Sequence, residues 1–429
     1  MAQPLFRYGL GLLGCFLAAC STPTPNAAAQ HSGINTAALT VAPTTEQNSA
    51  QTTQPSTTAL TSPDLRPQKT KIAQAGQTTQ GAVDAPLFVP FRQHFKQADG
   101  QLSPYLEQWG RHLSNERDIP FAVVEKLLLE VEYEPQVISL MTPSKVSQRK
   151  RSWPAYRQRF VEPTRIQAGL DFWQAHADTI ATTAQQYQVP AAILVAIVGV
   201  ETIYGRYMGD FKVLNALANL GFSYPDPQRP ERAAMFRNQL ADFIELHHKG
   251  KVNALQARGS YAGAMGLPQF MPTSIKNWAI DARNTGAIDL YQSVPDSLAS
   301  IANFLNHHGW VANWPVFVDI VLPDDHATAA LVDGGLAPTL SWAQVQQQFG
   351  PYDSIEHLTA APQEQKYGLI DLVDQPKNTV EYRLATPNFF ALTAYNRSYF
   401  YASSVADLAC ELEQRMLQQH ACSLWAQAS

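Results

Sequence analysis

The sequence predicts a mainly α-helical protein that carries a small β-rich insertion. From about residue 88 onward, apolar residues recur at intervals of three and four, as in "IPFAVVEKLLLEV" and "TRIQAGLDFWQAHADTIATTAQQY", which is typical of amphipathic helices. Between about 315 and 385 the runs become short and alternating or β-branched, as in "YGLIDLV" and "TVEYRLA", which indicates strands. A chain of 429 residues, 45% of them apolar, is long enough for two or three domains.

The N-terminal segment 1–19 has the pattern of a bacterial secretion signal. Arg7 precedes an apolar stretch that is too short to span a bilayer. The following "LAAC" resembles a lipobox, in which cleavage leaves Cys20 as a lipid-modified N-terminus, and Ser21 favours transfer to the outer membrane. We therefore expect a lipid anchor on the periplasmic face of the outer membrane. The alternative is an ordinary signal peptide with a chance cysteine.

Residues 20–85 have the composition of a flexible tether. Thr, Gln, Ala, Ser and Pro dominate, with almost no aromatic residues and few charges, so the segment lacks the apolar surface that a folded core requires. As a random coil of about 65 residues, the tether would average roughly 45 Å end to end. This organisation predicts a folded body that works at some distance from the membrane.

Further helices follow in the second half of the chain. "ERAAMFRNQLADFIELHHKG" ends on Gly250, "VPDSLASIANFLNHHGW" ends near Gly309, and a last helix is predicted from about 398 to 418. Apart from the two cysteines of the leader, the chain has Cys410 and Cys422. A disulfide between them requires the chain to double back, and the sequence leaves a bonded and a free pair equally open.

The stretch "AAILVAIVGVETIYGRYMG" places a single carboxylate, Glu201, at the end of an apolar run. On a helix, the neighbours of Glu201 on its own face are Leu194, Ile197 and Val198, all apolar. Gly205 indicates that the helix ends nearby, where its dipole disfavours negative charge. Burial and the dipole would both favour the protonated acid, which could then donate to a leaving group. The alternative is a Glu201 side chain that turns into solvent.

A second cluster, "GSYAGAMGLPQFMPTS", spans residues 259 to 274. Its glycines and alanines let the backbone approach a ligand closely. Its Gln269 amide and Phe270 ring suit a sugar, which presents hydroxyl groups at its rim and C–H groups on its face. A tight turn between helices is the alternative.

These segments together resemble a known family. "VETIYGRYMG", "NALANLGFSYP", "ERAAMF", "GSYAGAMGLPQFMP" and "IANFLNHHGW" are similar to motifs of the membrane-bound lytic murein transglycosylase B family. "WPAYRQRFVEPTRIQAGLDFW" and "YNRSYFYASSV" resemble its flanking segments, so that the match runs from about 88 to 405 in the family's order.

The resemblance implies a lysozyme-like α domain that carries the active site, with an extra helical domain and a small β domain forming a groove. We place the boundaries as follows: signal peptide 1–19, lipidated N-terminus and tether 20–85, helical domain 86–180, lysozyme-like catalytic core 181–314, β-rich domain 315–385, and C-terminal helical segment 386–429.

Position by position, the resemblance implies that Glu201 is the single catalytic acid and base. It also implies a set of substrate-binding residues along the groove: Ser260, Gln269, Met265, Phe270, Tyr224, Arg232, Tyr395 and Tyr401. The family usually has an aromatic residue and a glycine where this chain has Leu267 and Pro268, which puts one sugar contact in doubt.

Members of the family can hold calcium in an EF-hand-like loop after this motif. Here "DARNTGAIDLYQSVPD" keeps Asp281, Asp289 and Asp296, but Arg283 and Thr285 replace oxygen ligands. A cation at an interior ligand position argues against strong calcium binding. We therefore expect no metal and no cofactor, with calcium held by the three aspartates as the alternative.

The implied activity is non-hydrolytic cleavage of the bond between N-acetylmuramic acid and N-acetylglucosamine in peptidoglycan, which leaves 1,6-anhydro ends. The predicted partners are glycan strands and, through the anchor, the outer membrane, for a monomer whose net charge of −5 argues against nucleic-acid binding. One alternative is a hydrolytic muramidase, which would use two carboxylates, and another is a non-catalytic murein-binding lipoprotein. A metal enzyme would have to use His247–His248 or His307–His308, whose members point about 100° apart on a helix.

Overall fold

The computed structural model describes residues 95–142, 150–319, 326–332, 334–349 and 365–427. The predicted signal segment 1–19, the predicted lipidation site at Cys20 and the predicted tether 20–85 lie outside the described residues.

Helices dominate the described part of the chain, as the sequence predicts. They are α1 (Pro104–Arg117), α2 (Phe121–Leu129), α3 (Pro135–Met141), α4 (Trp153–Arg157), α5 (Pro163–Ala175), α6 (Ala177–Tyr187), α7 (Ala191–Thr202), α8 (Val213–Phe222), α9 (Pro230–His248), α10 (Pro272–Trp278), α11 (Val294–His307), α12 (His326–Ala330), α13 (Trp342–Phe349), α14 (Pro387–Tyr395) and α15 (Tyr399–Leu417).

The strands form two sheets. They are β1 (Phe211–Lys212), β2 (Arg258–Gly259), β3 (Phe317–Asp319), β4 (Leu340–Ser341), β5 (Lys366–Asp374), β6 (Thr379–Ala385) and β7 (Trp425–Gln427). β1 and β2 form a small antiparallel pair, and the other five strands form a sheet in the order β4-β5-β6-β3-β7. The strands predicted from "YGLIDLV" and "TVEYRLA" are β5 and β6, whereas β7 has no counterpart in the predicted pattern.

Helix α7 is the central element of the core. Every side chain from Ala192 to Val198 is at most 1% exposed, and a helix that is apolar on all sides must be enclosed by other elements. The helices α5, α6, α11 and α15 pack around it. No single helix among the described residues is long and apolar enough to cross a membrane, and the bent pair α6 and α7 passes that test together by length and composition only.

The N-terminal helices are fixed to α8 and α9 by polar contacts. Asn219 of α8 accepts a hydrogen bond from the Glu134 amide and donates to the Glu132 carbonyl, while Asn215 accepts from the Glu132 amide. Both asparagines are at most 1% exposed. Because such buried amides are costly to leave unpaired, these bonds fix the turn before α3 against α8.

The large sheet is joined to α4 and α15 by a buried ion-pair cluster. Arg383 of β6 donates to Asp407 of α15, which also accepts from Arg157 of α4. Arg383 is 8% exposed and Asp407 is 6% exposed, so both charges depend on this pairing. The disulfide that the sequence left open is present: Cys410 of α15 is bonded to Cys422, with a Cα–Cα distance of 5.3 Å.

The described residues belong to one compact unit. The boundaries that we place at 180, 314 and 385 within it stay predictions. The mainly α-helical class with a small β-rich part is confirmed.

Candidate active site

Glu201 lies in the last turn of α7, where the chain leaves the core. The helix ends at Thr202, and Ile203 and Tyr204 follow with φ angles of +50° and +56°. Left-handed backbone is uncommon for any residue with a Cβ atom and is strained for a β-branched one, and such strain is often found next to functional sites. Leu194, Ile197 and Val198, predicted to share the face of Glu201, are each fully buried.

The Glu201 carboxyl group is held by one phenol. Tyr401 of α15 donates its hydroxyl hydrogen to Glu201 Oε1 at 2.5 Å. Glu201 Oε2 is withdrawn from solvent and has no hydrogen-bond partner among the described residues. Burial raises the pKa of Glu201 to about 8, against the opposing effect of the Tyr401 hydrogen bond, which favours the ionised form. Among the described residues, Glu201 is hydrogen-bonded to Tyr401 and not to Asp210 or Asp226.

The Tyr204 side chain packs between α5 and the end of α7. Its ring lies against Phe172 with centroids 5.3 Å apart, and its hydroxyl occupies a slot that glycines leave open. A Cβ atom at Gly169 of α5 or at Gly199 of α7 would come within 2.3 Å of that hydroxyl. Glycine at these two positions is therefore required for the Tyr204 side chain to pack against the last turn of α7, which carries Glu201.

The glycine-rich segment forms a tight turn beside Glu201. The backbones of Met265 and Phe270 exchange two hydrogen bonds, of 2.9 and 3.1 Å, across residues 266–269. Thr202 contacts this turn, with its Oγ1 atom 3.5 Å from the Leu267 carbonyl oxygen and accepting from the Gly205 amide. Thr202 is a positioning residue that we did not predict, although it follows Glu201 directly in the sequence.

Gln269 lies inside that turn with a φ angle of +49°. Its amide Nε2 donates to the carbonyl oxygens of Met208, at 3.1 Å, and Gly266, at 2.9 Å. The side chain is therefore fixed by the loop after α7 and by its own turn, while Oε1 has no hydrogen-bond partner among the described residues. Gln269 can present this acceptor to a ligand.

Ser260, Met265 and Phe270 are almost completely buried. All three residues are at most 2% exposed. Ser260 Oγ accepts from the amides of Ala262 and Ala264, at 3.3 and 3.1 Å, which leaves its hydroxyl hydrogen to donate. The Phe270 ring contacts Phe304 and Tyr395 behind the turn. The predicted role of Ser260, Met265 and Phe270 in substrate binding stays a prediction.

Tyr395 and Tyr401 connect the C-terminal helices to the site. Their rings are stacked at 6.4 Å with an interplanar angle of 13°. Tyr395 donates to the Pro268 carbonyl oxygen at 2.6 Å, so one tyrosine contacts the turn and the other contacts the acid. Pro268, at a position where the family usually has another residue, thus contributes its backbone carbonyl to this contact.

Tyr224 and Arg232 are placed together but show no contact with Glu201. The Tyr224 hydroxyl accepts from Arg232 Nε at 3.5 Å, and its ring is stacked on Phe236. Both lie around the start of α9, so they are candidates for a more distant part of the groove. Their predicted role in substrate binding stays a prediction.

The carboxylates of the loop at residues 281–296 are occupied by donors of the chain itself. Asp296 is fully buried and accepts from the amides of Ala282 and Asp289 at 3.1 and 3.0 Å. Arg283 adds an ion pair to it, with Nη2 3.0 Å from Asp296 Oδ2. Asp281 accepts from the amides of two loop residues at 3.1 and 2.6 Å. These carboxylates do not fit a calcium ion, because the Arg283 guanidinium group occupies the position next to Asp296 that the ion would need.

His307 and His308 contact backbone atoms of their own helix. The Nδ1 atoms of His307 and His308 lie 2.9 and 2.7 Å from the carbonyl oxygens of Asn303 and Phe304, one turn earlier on their own helix. In the described residues, no group of three or more His, Cys, Asp or Glu side chains is arranged to hold a metal ion.

A carboxylic acid that keeps its proton near neutral pH can protonate the oxygen of a glycosidic bond. On this helical framework, such a site defines a lysozyme-like enzyme that cleaves a sugar polymer. Comparison with known proteins narrows the class. The family model described as "Transglycosylase SLT domain" matches residues 101–410, and the chain belongs to that family.

Individual relatives agree with this assignment. Membrane-bound lytic murein transglycosylase B of Escherichia coli is 36% identical over 265 residues, which cover 60% of this chain and 66% of that protein. Soluble lytic transglycosylase SltB1 of Pseudomonas aeruginosa superposes with a TM-score of 0.64 at 33% identity, over 73% of this chain and 99% of that one. The Escherichia coli lytic transglycosylase Slt35, in a structure with calcium, superposes with a TM-score of 0.61 at 30% identity. The match covers 73% of this chain and 94% of that one. The lysozyme-like fold and the resemblance drawn from the motifs are confirmed.

Proposed function

We propose that this protein is a lytic transglycosylase that cleaves the β-1,4 bond between N-acetylmuramic acid and N-acetylglucosamine in peptidoglycan. The observation that carries the proposal is the environment of Glu201: a single shielded carboxyl group, with a pKa of about 8, that has one oxygen hydrogen-bonded and the other without a partner in the described residues. A hydrolase of the two-carboxylate type would need a second acid across the bond, whereas the transglycosylase reaction needs only one.

In the first step Glu201 donates its proton from Oε2 to the glycosidic oxygen, and the bond to C1 of the muramoyl residue breaks. N-acetylglucosamine leaves with that proton as a hydroxyl group. Tyr401 remains bonded to Oε1 and stabilises the carboxylate that this step creates.

In the second step the Glu201 carboxylate removes the proton from the C6 hydroxyl of the same muramoyl residue, whose oxygen attacks C1. The product is a 1,6-anhydro sugar, the acid is regenerated, and no water is consumed. Gln269 Oε1 and the Ser260 hydroxyl hydrogen are available to orient the sugar, since their other hydrogen-bonding capacity is used within the protein. A structure of SltB3 of Pseudomonas aeruginosa, 26% identical over 72% of this chain and 80% of that one with a TM-score of 0.59, contains NAG-anhNAM-pentapeptide, which supports an anhydro product in this fold.

The mature protein is anchored to the outer membrane by lipid on Cys20 and acts on glycan strands from its periplasmic face. The lipobox-like "LAAC" supports this location, and so does the name of the Escherichia coli relative, which describes that protein as membrane-bound. Labelling of cells with a radioactive fatty acid should mark the wild-type protein and leave Cys20→Ala unmarked.

Digestion of purified sacculi tests the reaction. Mass spectrometry of the released muropeptides should show anhydro ends, which are one water lighter than hydrolytic ends. Glu201→Gln should lower the rate by at least about 10³-fold, because proton donation and proton removal are both lost. Hydrolytic ends would indicate the muramidase instead, and intact sacculi with the wild-type protein bound would indicate a non-catalytic binder.

A further inference from the structure

A cleft of about 660 Å³ lies beside the catalytic turn and takes no part in the proton transfers. One side is formed by the loop from Gly205 to Phe211, which follows Glu201 in the chain. The other side is formed by α3 and the residue before it, with Glu134, Gln136 and Leu140 lining the cleft. The cleft is connected to the site through Met208, which lines it and whose carbonyl oxygen accepts from Gln269.

The α3 side of the cleft is fixed in place. The Glu134 amide donates to Asn219 Oδ1 at 3.1 Å, and Asn219 Nδ2 donates to the Glu132 carbonyl at 2.8 Å. Asn219 is fully buried in α8, so the turn that carries Glu134 cannot move without breaking buried hydrogen bonds. The Glu134 side chain is therefore held at the cleft by the same helix that follows the catalytic loop.

The Glu134 side chain makes no hydrogen bond or ion pair among the described residues. Its Oε2 atom is withdrawn from solvent and has no hydrogen-bond partner among the described residues. A shielded acceptor of this kind is costly unless a ligand supplies a donor. Since the group carries negative charge, the best complement is a cationic donor such as an ammonium group.

The opposite side of the cleft carries two guanidinium groups, those of Arg206 and Arg258, and one carboxylate, that of Asp210. Arg206 is exposed and makes no ion pair among the described residues, and Arg258 donates only one bond there, from Nη1 to the Asp210 carbonyl at 2.7 Å. Both guanidinium groups line the cleft and keep donors for a carboxylate. Tyr207, 51% exposed, adds an aromatic surface to the cleft.

Glu134 on one side and the two guanidinium groups on the other, with Asp210 as a further carboxylate beside them, offer partners for both charges of a zwitterion. Glycan strands present hydroxyl and acetamido groups, whereas the peptide stems attached to them carry ammonium and carboxylate groups together. We propose that this cleft binds the stem amino acid that bears a free ammonium group next to a carboxylate, with Glu134 accepting from the ammonium and Arg206 and Arg258 pairing with the carboxylate. This inference rests on the proposed function, because it requires a peptidoglycan substrate.

The test compares wild type, Glu134→Gln and the control Glu132→Gln on three substrates: intact sacculi, sacculi whose free ammonium groups have been acetylated, and glycan strands stripped of their stems by an amidase. Glu132 belongs to the same turn but is exposed and does not line the cleft. On intact sacculi, Glu134→Gln should raise KM about 5- to 10-fold and leave kcat unchanged. Acetylation should raise the wild-type KM to a similar extent and abolish the difference between the variants.

On stripped strands, all three proteins should be equally active. A Glu134→Gln protein that is equally impaired on stripped strands, or unimpaired on every substrate, overturns the proposal. The wild-type rate on stripped strands tests the proposed function separately. Release of anhydro ends from these strands would support the transglycosylase reaction whether or not the enzyme recognises peptide stems.

Direct binding provides a second measurement. Titration calorimetry of a free stem peptide with an unmodified diamino acid should detect binding to Glu201→Gln protein that is lost when Arg206→Ala and Arg258→Ala are added. The same peptide with its ammonium group acetylated should not bind. Equal binding of the two peptides overturns the proposal even if the enzyme proves inactive on every polymer.

Discussion

The Tyr401 hydroxyl donates a 2.5 Å hydrogen bond to Glu201 Oε1, although the two residues are 200 positions apart in the chain. Burial raises the pKa of Glu201 to about 8, and this hydrogen bond opposes the shift because it favours the charged form. The last long helix of the chain thus sets the proton affinity of the acid at the end of α7. The burial of Tyr401 and the neighbouring charge of Glu201 raise the pKa of the phenol, so it remains a donor across the working pH range.

Removing this donor should move the pH profile. In Tyr401→Phe the opposing effect is lost, so the pKa of Glu201 should rise above its value of about 8. Activity requires protonated Glu201, so the alkaline limb of kcat should move to higher pH, and kcat at its optimum should fall about 10-fold because the carboxylate intermediate loses a charge-assisted bond. The measurement is kcat against pH on solubilised glycan strands.

Tyr395→Phe is the matched control for that experiment. Its hydroxyl donates to the Pro268 carbonyl and not to the acid, so its loss should leave the alkaline limb where the wild type has it. A Tyr401→Phe profile that coincides with the Tyr395→Phe profile would remove Tyr401 from control of the Glu201 pKa.

The same buried acid should make the protein less stable at alkaline pH. Its folded pKa of about 8 lies above the ordinary value of 4.5, so the folded state binds the proton more tightly than the unfolded state. The resulting stability is complete below pH 4.5 and is lost as the pH rises through about 8. Glu201→Gln removes the cost of ionisation and should raise the free energy of unfolding at pH 8.5 by on the order of 2 kcal/mol.

Denaturant titration at pH 4.5 and 8.5 checks this sign. The gain of Glu201→Gln over wild type should be close to zero at the lower pH and appear at the higher one. The control Glu231→Gln changes an exposed glutamate in the first turn of α9 and should give no such pH-dependent difference. A gain of equal size at both pH values would mean that Glu201 is not the group responsible.

Arg283 should make the loop at residues 281–296 independent of calcium. Its guanidinium group pairs with the buried Asp296 carboxylate, in the place where a bound cation would be needed. The wild-type melting temperature should therefore be the same in millimolar calcium and in a chelator. In Arg283→Gln the buried charge loses its partner, so the melting temperature should fall and calcium should restore part of the loss. Calcium-dependent stabilisation of the wild type would contradict this account.

The part of the site that depends on local sequence could be predicted. Glu201 comes soon after seven consecutive buried apolar residues, Ala192 to Val198, on one helix. The pattern of apolar residues predicts burial directly, and burial is what raises the pKa of the acid.

Relationships that depend on distant parts of the chain could not be predicted from local patterns. The three-residue strand β7 pairs in parallel with β3, more than a hundred positions earlier, and three residues carry too little periodicity to predict a strand. Ile203 takes a left-handed conformation that its side chain disfavours, so only the tertiary contacts around Thr202 explain it. The burial of Phe270 likewise depends on a distant residue, because the Tyr395 ring lies against it.

The buried ion pair of Asp407 and Arg383, which connects the large sheet to α15, should contribute strongly to the free energy of unfolding. Asp407 accepts from Arg383 at 2.7 Å and from Arg157 at 2.6 Å, and Arg383 is enclosed among aromatic rings. In Asp407→Asn the buried guanidinium group loses its countercharge, so the free energy of unfolding should fall by about 3 to 5 kcal/mol. Urea denaturation followed by tryptophan fluorescence measures this change, because Trp153 and Trp425 lie against Arg383.

Glu411→Gln on the same helix is the control that removes an exposed carboxylate instead of a buried one. Glu411 pairs with Arg415 at 3.1 Å with both side chains partly in water, so its loss should cost less than about 0.5 kcal/mol. Asp407 lies six positions after Tyr401, and a shifted α15 would also lengthen the hydrogen bond to Glu201. Asp407→Asn should therefore lower kcat as well as stability, whereas Glu411→Gln should change neither. If the two variants lose the same small amount of stability, the pairing of Asp407 with Arg383 does not hold the sheet to the catalytic helices.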